Sequence, residues 1–209
     1  MAKNYASLAF TDPVKKMQEK VGSRVSYERM EKGTYVDGLT ENEIDFIANR
    51  DSFYIATIGE NGYPYIQHRG GPKGFLKVLD TKRLGFIDFR GNAQYISVGN
   101  IATHNQVAMI MVDYPARARL KIYAQAKIIE LNEDHKLREQ LDLKEYMVRP
   151  ERMMVFDIDA YDWNCPQHIT PRYTAEEINE AFVPQREHIA HLEQEVKRLK
   201  AKLDELSIL

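Results

Sequence analysis

The chain has 209 residues, enough for one well-buried core with extensions or for two small domains. Its 44% hydrophobic and 29% charged residues are ordinary for a globular protein, and a net charge of −2 provides no global basic field, so no nucleic-acid partner is expected. A single cysteine, Cys165, excludes an intrachain disulfide and a multi-cysteine zinc site and fits a reducing, cytoplasmic setting; no apolar run reaches the ~20 residues of a membrane helix, so no membrane partner is expected.

The N-terminal stretch to Phe10 lacks the long apolar core of a signal peptide. Asp12-Pro13 predicts a short helix to Lys20, ended by Gly22-Ser23. Thr40 to Glu43 is a capping-box pattern ahead of Ile44, Phe46 and Ile47, and predicts a helix from Glu41 to Arg50. Phe53 to Ile58 is β-branched and aromatic; with the Gly59–Gly62 turn and Tyr65-Ile66-Gln67 it predicts a hairpin.

Two further strands follow, Phe75-Leu-Lys-Val-Leu79 and Leu84 to Phe89. Cationic, glycine-bearing turns border them, His68-Arg-Gly-Gly-Pro-Lys-Gly74 before and Arg90-Gly-Asn92 after. Glycine lets backbone approach a ligand, and arginine presents a planar fork of donors to phosphate oxygens. The pattern suits a flat apolar molecule with an anionic tail, and equally two hairpins with solvated basic turns.

Asn92 to Ala102 reads as a helix capped by Asn92. Val107 to Tyr114 and Leu120 to Glu130 read as long strands joined by a proline turn, Glu133 to Leu143 as a helix, and Met153 to Trp163 as a last strand. The alternation Arg117, Arg119, Lys121 places three cations on one strand face, as a solvated edge or as a phosphate contact across a dimer. Strands at hairpin spacing without a βαβ alternation favour an antiparallel barrel or sandwich over a doubly wound sheet.

Thr174 to Glu177 is a second capping box. Beyond Pro184, Ile189, Leu192, Val196, Leu199, Leu203 and Leu206 alternate at spacings of three and four. This a/d stripe, with leucine at every d, leans towards a two-stranded parallel coiled coil; an amphipathic helix folded onto its own barrel is the other reading. His188 and His191, three apart, lack further metal-ligand neighbours, and no metal is expected.

Taken in order, the segments Tyr54 to Asp80, Leu84 to Ile128 and Trp163 to Tyr173 resemble the pyridoxamine 5′-phosphate oxidase-like FMN-binding split barrels. The resemblance divides the chain into an N-terminal extension (1–39), an FMN-binding split barrel (40–173) and a helical, coiled-coil-like extension (174–209). It implies a mainly β fold with helices (α+β): a six-stranded antiparallel Greek-key barrel, with a long C-terminal helix, forming a homodimer with FMN between the subunits. Arg69, Gly70 and Gly71 would lie against the flavin or its ribityl chain, and Phe75, Leu76 and Lys77 would face the ring. Asp88, Phe89, Arg90, Asn92, Gln94 and Ser97 are the candidates around the phosphate. Arg119 and Lys121 would reach the partner's flavin, and Trp163, Gln167 and His168 would close over the ring or phosphate end.

The oxidases' arginine-lysine phosphate pair has no one-to-one match here, and their pyridoxal phosphate-gripping arginine and histidine have no clear counterpart. The expected function is therefore an FMN-dependent oxidoreductase of unassigned small-molecule substrate. A non-catalytic binder or sensor of flavin, deazaflavin or haem, and an interaction platform acting through the C-terminal helix, are the alternatives. His68 reads as a strand-end histidine or a substrate-facing acid or base, and Cys165 as inert packing or a reactive thiol.

Overall fold

The computed structural model describes residues 4–33 and 36–207, and it divides into two compact units. The first comprises the chain up to Asp113 together with Arg117–His168; the second comprises Tyr114–Ala116 with the chain from Ile169 onward.

The first unit opens with three short helices, α1 (Tyr5–Ala9), α2 (Asp12–Lys20) and α3 (Arg24–Lys32). The Asp12-Pro13 start gives α2 as expected, whereas α1 and α3 carry no comparable local signal. Asn4 supplies the missing one for α1, accepting from the Ala6 N–H at 2.9 Å and donating to the Met30 carbonyl at 3.0 Å. Glu31 of α3 pairs with Lys15 and Arg24 at 2.6 Å each. Tyr5 stacks on Tyr123 at 4.9 Å, beneath the Lys121 ammonium, so this segment docks on the sheet.

Helix α4 (Glu41–Ala48) begins at the predicted capping box. Seven strands follow, one for each strand run read in the sequence and one more than the six of the barrel that the resemblance implies: β1 (Ser52–Ile58), β2 (Pro64–Gly70), β3 (Lys77–Asp80), β4 (Arg83–Phe89), β5 (Gln106–Asp113), β6 (Ala118–Glu130) and β7 (Pro150–Asn164). Their order is β2-β1-β5-β6-β7-β4-β3, and every neighbouring pair is antiparallel. The mainly β class with flanking helices stands, as an open sheet edged by β2 and β3. Helix α5 (Ile96–Thr103) separates β4 from β5, and α6 (His135–Leu141) separates β6 from β7.

Phe53, Phe75, Phe86 and Phe156 form the centre of the main core, with ring centroids 5.6–6.4 Å apart. Each such burial stabilises the fold by about 1.5–3 kcal/mol. Strand β4 is buried on both faces: Leu84 and Phe86 enter this core, and Ile87 enters a smaller cluster with Leu137, Leu141, Met153 and Val155 beneath α6.

Three local expectations are corrected. Strand β3 starts at Lys77, because Phe75 and Leu76, each 1% exposed, turn into the core before it begins. Helix α5 starts at Ile96, because Ala93 and Tyr95 hold left-handed φ values of 60° and 52°; Asn92 instead closes a local turn by accepting from the Gln94 N–H. Arg117, at φ 53°, lies in the turn before β6, so only Arg119 and Lys121 share that strand face. Strand β6 lies between β5 and β7, so that face is not at a sheet edge.

The second unit holds α7 (Ala175–Ala181), started by the Thr174–Glu177 capping box, and α8 (Val183–Ser207). Among the described residues no helix is long and apolar enough to cross a membrane.

Candidate functional site

The polar end of the main core sits where β2, β4 and β7 approach the start of α5. Asp88 follows Phe86 on the same face of β4 and is 3% exposed. Its carboxylate accepts from Arg69 of β2 at 2.6 Å and from Arg152 of β7 at 3.0 Å. Both guanidiniums are largely buried, at 15% and 14% side-chain exposure. Burial pushes the Asp88 carboxyl up from its ordinary value, against the pull of Arg69 and then Arg152. Burial also opposes the charge on Arg152, but there the attraction of Asp88 prevails and Arg152 holds its proton more tightly.

The turn before α5 is pinned to this cluster. The Tyr95 hydroxyl donates to Glu151 at 3.1 Å, and the Arg152 guanidinium lies 4.8 Å from the centre of the Tyr95 ring. Ser97, in the first turn of α5 and 1% exposed, donates to the Gln67 side-chain oxygen at 2.7 Å. Asn100, one turn on, donates to Thr57 of β1 at 3.0 Å. These bonds seat the N-terminal turn of α5 against β1 and β2.

Between these groups lies a cavity of about 50 Å³. Gln67 and Arg69 from β2, Asp88 and Phe89 from β4, the turn from Gly91 to Tyr95, the first turn of α5 and Arg152 surround it. The Arg69 Nε is buried and has no hydrogen-bond partner among the described residues. A wider groove of about 600 Å³ adjoins it, shares Tyr65 and Ile96 with it, and runs along the Gly59–Pro64 turn.

The structure therefore gathers six of the sequence candidates in one place: Arg69, Asp88, Phe89, Asn92, Gln94 and Ser97. Asp88 is a buried counter-ion to two arginines there. Arg90 stands outside the lining, half exposed and 4.0 Å from Glu151. Gly71 follows β2, where a Cβ would fall 2.8 Å from the Phe75 ring, and a Cβ on Gly70 would lie 3.0 Å from the His68 ring. Lys77 opens β3 and pairs across to Gly85.

The remaining candidates lie elsewhere. Arg119 donates to the Cys165 carbonyl at 2.8 Å, and its Nε, like that of Arg69, is buried without a partner among the described residues. Lys121 pairs with Asp162 at 3.0 Å. Trp163 donates its ring N–H to Glu43 at 2.6 Å and meets Phe46 edge-on at 4.8 Å, which anchors it inside its own unit. Gln167 and His168 are exposed in a turn, with His168 at φ 63°. Sequence reasoning missed Gln67, Tyr95, Glu151 and Arg152; the strand had been started at Met153, one residue too late to include Arg152.

Fold and site together define an antiparallel split sheet with a guanidinium-lined pocket at one end of its core. Residues 39–163, more than half of the chain, match the model of the pyridoxamine 5′-phosphate oxidase family, and the chain belongs to that family. Similar solved structures include HupZ from Group A Streptococcus (14% identity, TM-score 0.49, covering 65% of this chain and 100% of that one). Another is a general stress protein 26-related protein of the pyridoxinephosphate oxidase family from Clostridium acetobutylicum (18%, 0.45, 66% and 93%). A third is an FMN-binding protein from Syntrophomonas wolfei (15%, 0.44, 71% and 97%). All three TM-scores lie below 0.5, so the assignment rests on the family match. Comparison with curated proteins finds no match.

Proposed function

We propose that the protein binds FMN, with its phosphate end at the Arg69 pocket and its ring system along the adjoining groove. The observation that carries this reading is Arg69, a largely buried guanidinium whose Nε has no hydrogen-bond partner among the described residues, in the lining of a cavity that adjoins a groove of about 600 Å³. A buried donor without a partner costs about 1–3 kcal/mol, which an anionic oxygen would relieve. The donor set fits such a group. Arg69 supplies the fork, Gln67 and Ser97 supply polar side chains, and the N-terminal turn of α5 supplies backbone N–H groups and the positive end of a helix dipole. Asp88, itself bound by Arg152, holds the Arg69 side chain in place.

On this reading the protein is an oxidoreductase acting on a small molecule, and bound FMN would supply the redox chemistry. The chain's own part is to bind and orient it, exclude water from the phosphate end and set the local charge. The protein works as a cytoplasmic homodimer with the cofactor at the subunit interface. In support, β2 is a sheet edge, and the outer face of β1 and β2 exposes Tyr54, Ile58 and Ile66. An exposed apolar strand face of this kind is suited to a subunit contact.

The test is the visible absorption spectrum of the purified protein, with mass spectrometry of any released chromophore. Near-stoichiometric FMN, bleached by NADH or NADPH and restored by air, would support the enzyme reading. A released deazaflavin or haem would redirect it to another cofactor. A colourless protein that takes up no added FMN would overturn it.

A further inference from the structure

Helix α8 covers 25 residues, Val183–Ser207, or about 37 Å at 1.5 Å per residue. Ile189, Leu192, Val196, Leu199 and Leu203 are 54%, 46%, 49%, 53% and 67% exposed. The last member of the stripe, Leu206, has its side chain outside the described residues. These positions make a strict a/d seam rather than a broad apolar face. A broad face beds onto a sheet, whereas a narrow seam fits a helix of the same kind.

The residues flanking the seam carry a second pattern. Positions e and g are Glu193 and Glu195 in the first half, and Lys200 and Lys202 in the second. We propose that α8 pairs with α8 of a second copy of this chain, antiparallel, about a centre between Lys197 and Arg198. In that register Leu192 packs on the second copy's Leu203, and Val196 on its Leu199. Glu193 meets the second copy's Lys200, and Glu195 its Lys202. By symmetry four Glu–Lys contacts form around the seam.

A parallel, in-register pair retains only the Glu195–Lys200 contact and its mate. It sets His188 against Glu193 and leaves Lys202 facing Ser207. The a and d residues alone lean towards a parallel pair; the flanking charges decide orientation, as they do in coiled coils generally. Glu195 holds Arg198 of its own helix at 3.0 Å, an exposed contact that leaves its second oxygen for the partner's lysine. The inference is independent of the cofactor reading.

Cysteine trapping on the full-length chain tests it. Exposed Cys165 is first replaced by Ser so that it takes no part. Mild oxidation should then cross-link Leu192→Cys/Leu203→Cys efficiently, and Leu192→Cys alone at least tenfold less. Equal trapping of Leu192→Cys alone would establish a parallel pair and overturn the proposal. Trapping in neither would show that α8 does not pair with itself. A charge variant gives a second reading: Lys202→Glu in the double-cysteine background should cut the cross-link yield several-fold, and adding Glu195→Lys should restore it. A yield unchanged by Lys202→Glu would argue against the antiparallel register.

Discussion

Asp88 on β4 stands directly opposite Arg152 on β7, and its carboxylate accepts from that guanidinium at 3.0 Å. Arg69 reaches the same carboxylate from β2, at 2.6 Å. One buried acid thus ties three strands together at the polar end of the core. Removing it strands two largely buried cations. We expect Asp88→Ala, which removes both acceptor oxygens from the two guanidiniums, to cost about 3–5 kcal/mol, read as a lower urea midpoint. Asp80→Asn, which breaks an exposed pair with Arg83, should cost at most about 1 kcal/mol. Equal costs would mean that burial does not set the weight of the Asp88 cluster.

Glu43 illustrates the opposite balance. Burial raises its carboxyl, but hydrogen bonds from Thr40 and Trp163 outweigh this and hold it below its ordinary value of 4.5. Its folded-state value is lowered, so its contribution is fully present above the unfolded value and is lost as pH falls through the folded one. Glu43→Gln should therefore be less stable than the parent at pH 7, by about 1–3 kcal/mol. The gap should narrow below about pH 4.5. Urea titrations of both proteins from pH 7 to pH 3 read this directly; a gap that stays constant would show that the ionised form carries no advantage.

The two glycines after Arg69 separate by what a methyl group would strike. At Gly71 an added Cβ meets the Phe75 ring at 2.8 Å, inside the main core. At Gly70 it meets the edge of the exposed His68 ring at 3.0 Å, which can swing away. Gly71→Ala should cost about 1–3 kcal/mol through overpacking, and Gly70→Ala clearly less. Thermal unfolding of the two variants checks the order. The glycine pair reads in the sequence as room for a ligand, and core packing is sufficient reason for its second member.

What the sequence made legible was local. The Thr40–Glu43 and Thr174–Glu177 capping boxes lie within four residues, and both mark true helix starts. The runs that became β5 and β6 are long and rich in β-branched residues, and they were found within a few residues of their ends. The family resemblance supplied Arg69, Asp88, Phe89, Asn92, Gln94 and Ser97 of the pocket lining, and passed over Gln67 and Tyr95 beside them. Arg152 could not be found in this way. Its contact with Asp88 spans 64 residues and depends on the β4–β7 register. Helix α5 was started too early because nothing in Asn92–Tyr95 announces left-handed backbone at an alanine and a tyrosine. Helix α1, five residues long, owes its place to tertiary contacts of Asn4 and Tyr5.

Arg69 is where the fold and the proposed cofactor meet. One terminal nitrogen is committed to Asp88, while the Nε is buried without a partner among the described residues. Arg69→Lys keeps a cation near Asp88 but removes the Nε and the planar fork. Most of the stability should survive, with a loss of about 1–2 kcal/mol, because the buried carboxylate still has Arg152. FMN affinity should fall about tenfold or more, since a charge-assisted hydrogen bond is worth about 1.5–3 kcal/mol. Fluorescence titration of FMN into the parent and the variant, beside a urea curve for each, separates the two effects. An unchanged FMN affinity with lowered stability would make Arg69 a purely structural partner of Asp88 and move the phosphate end away from this pocket.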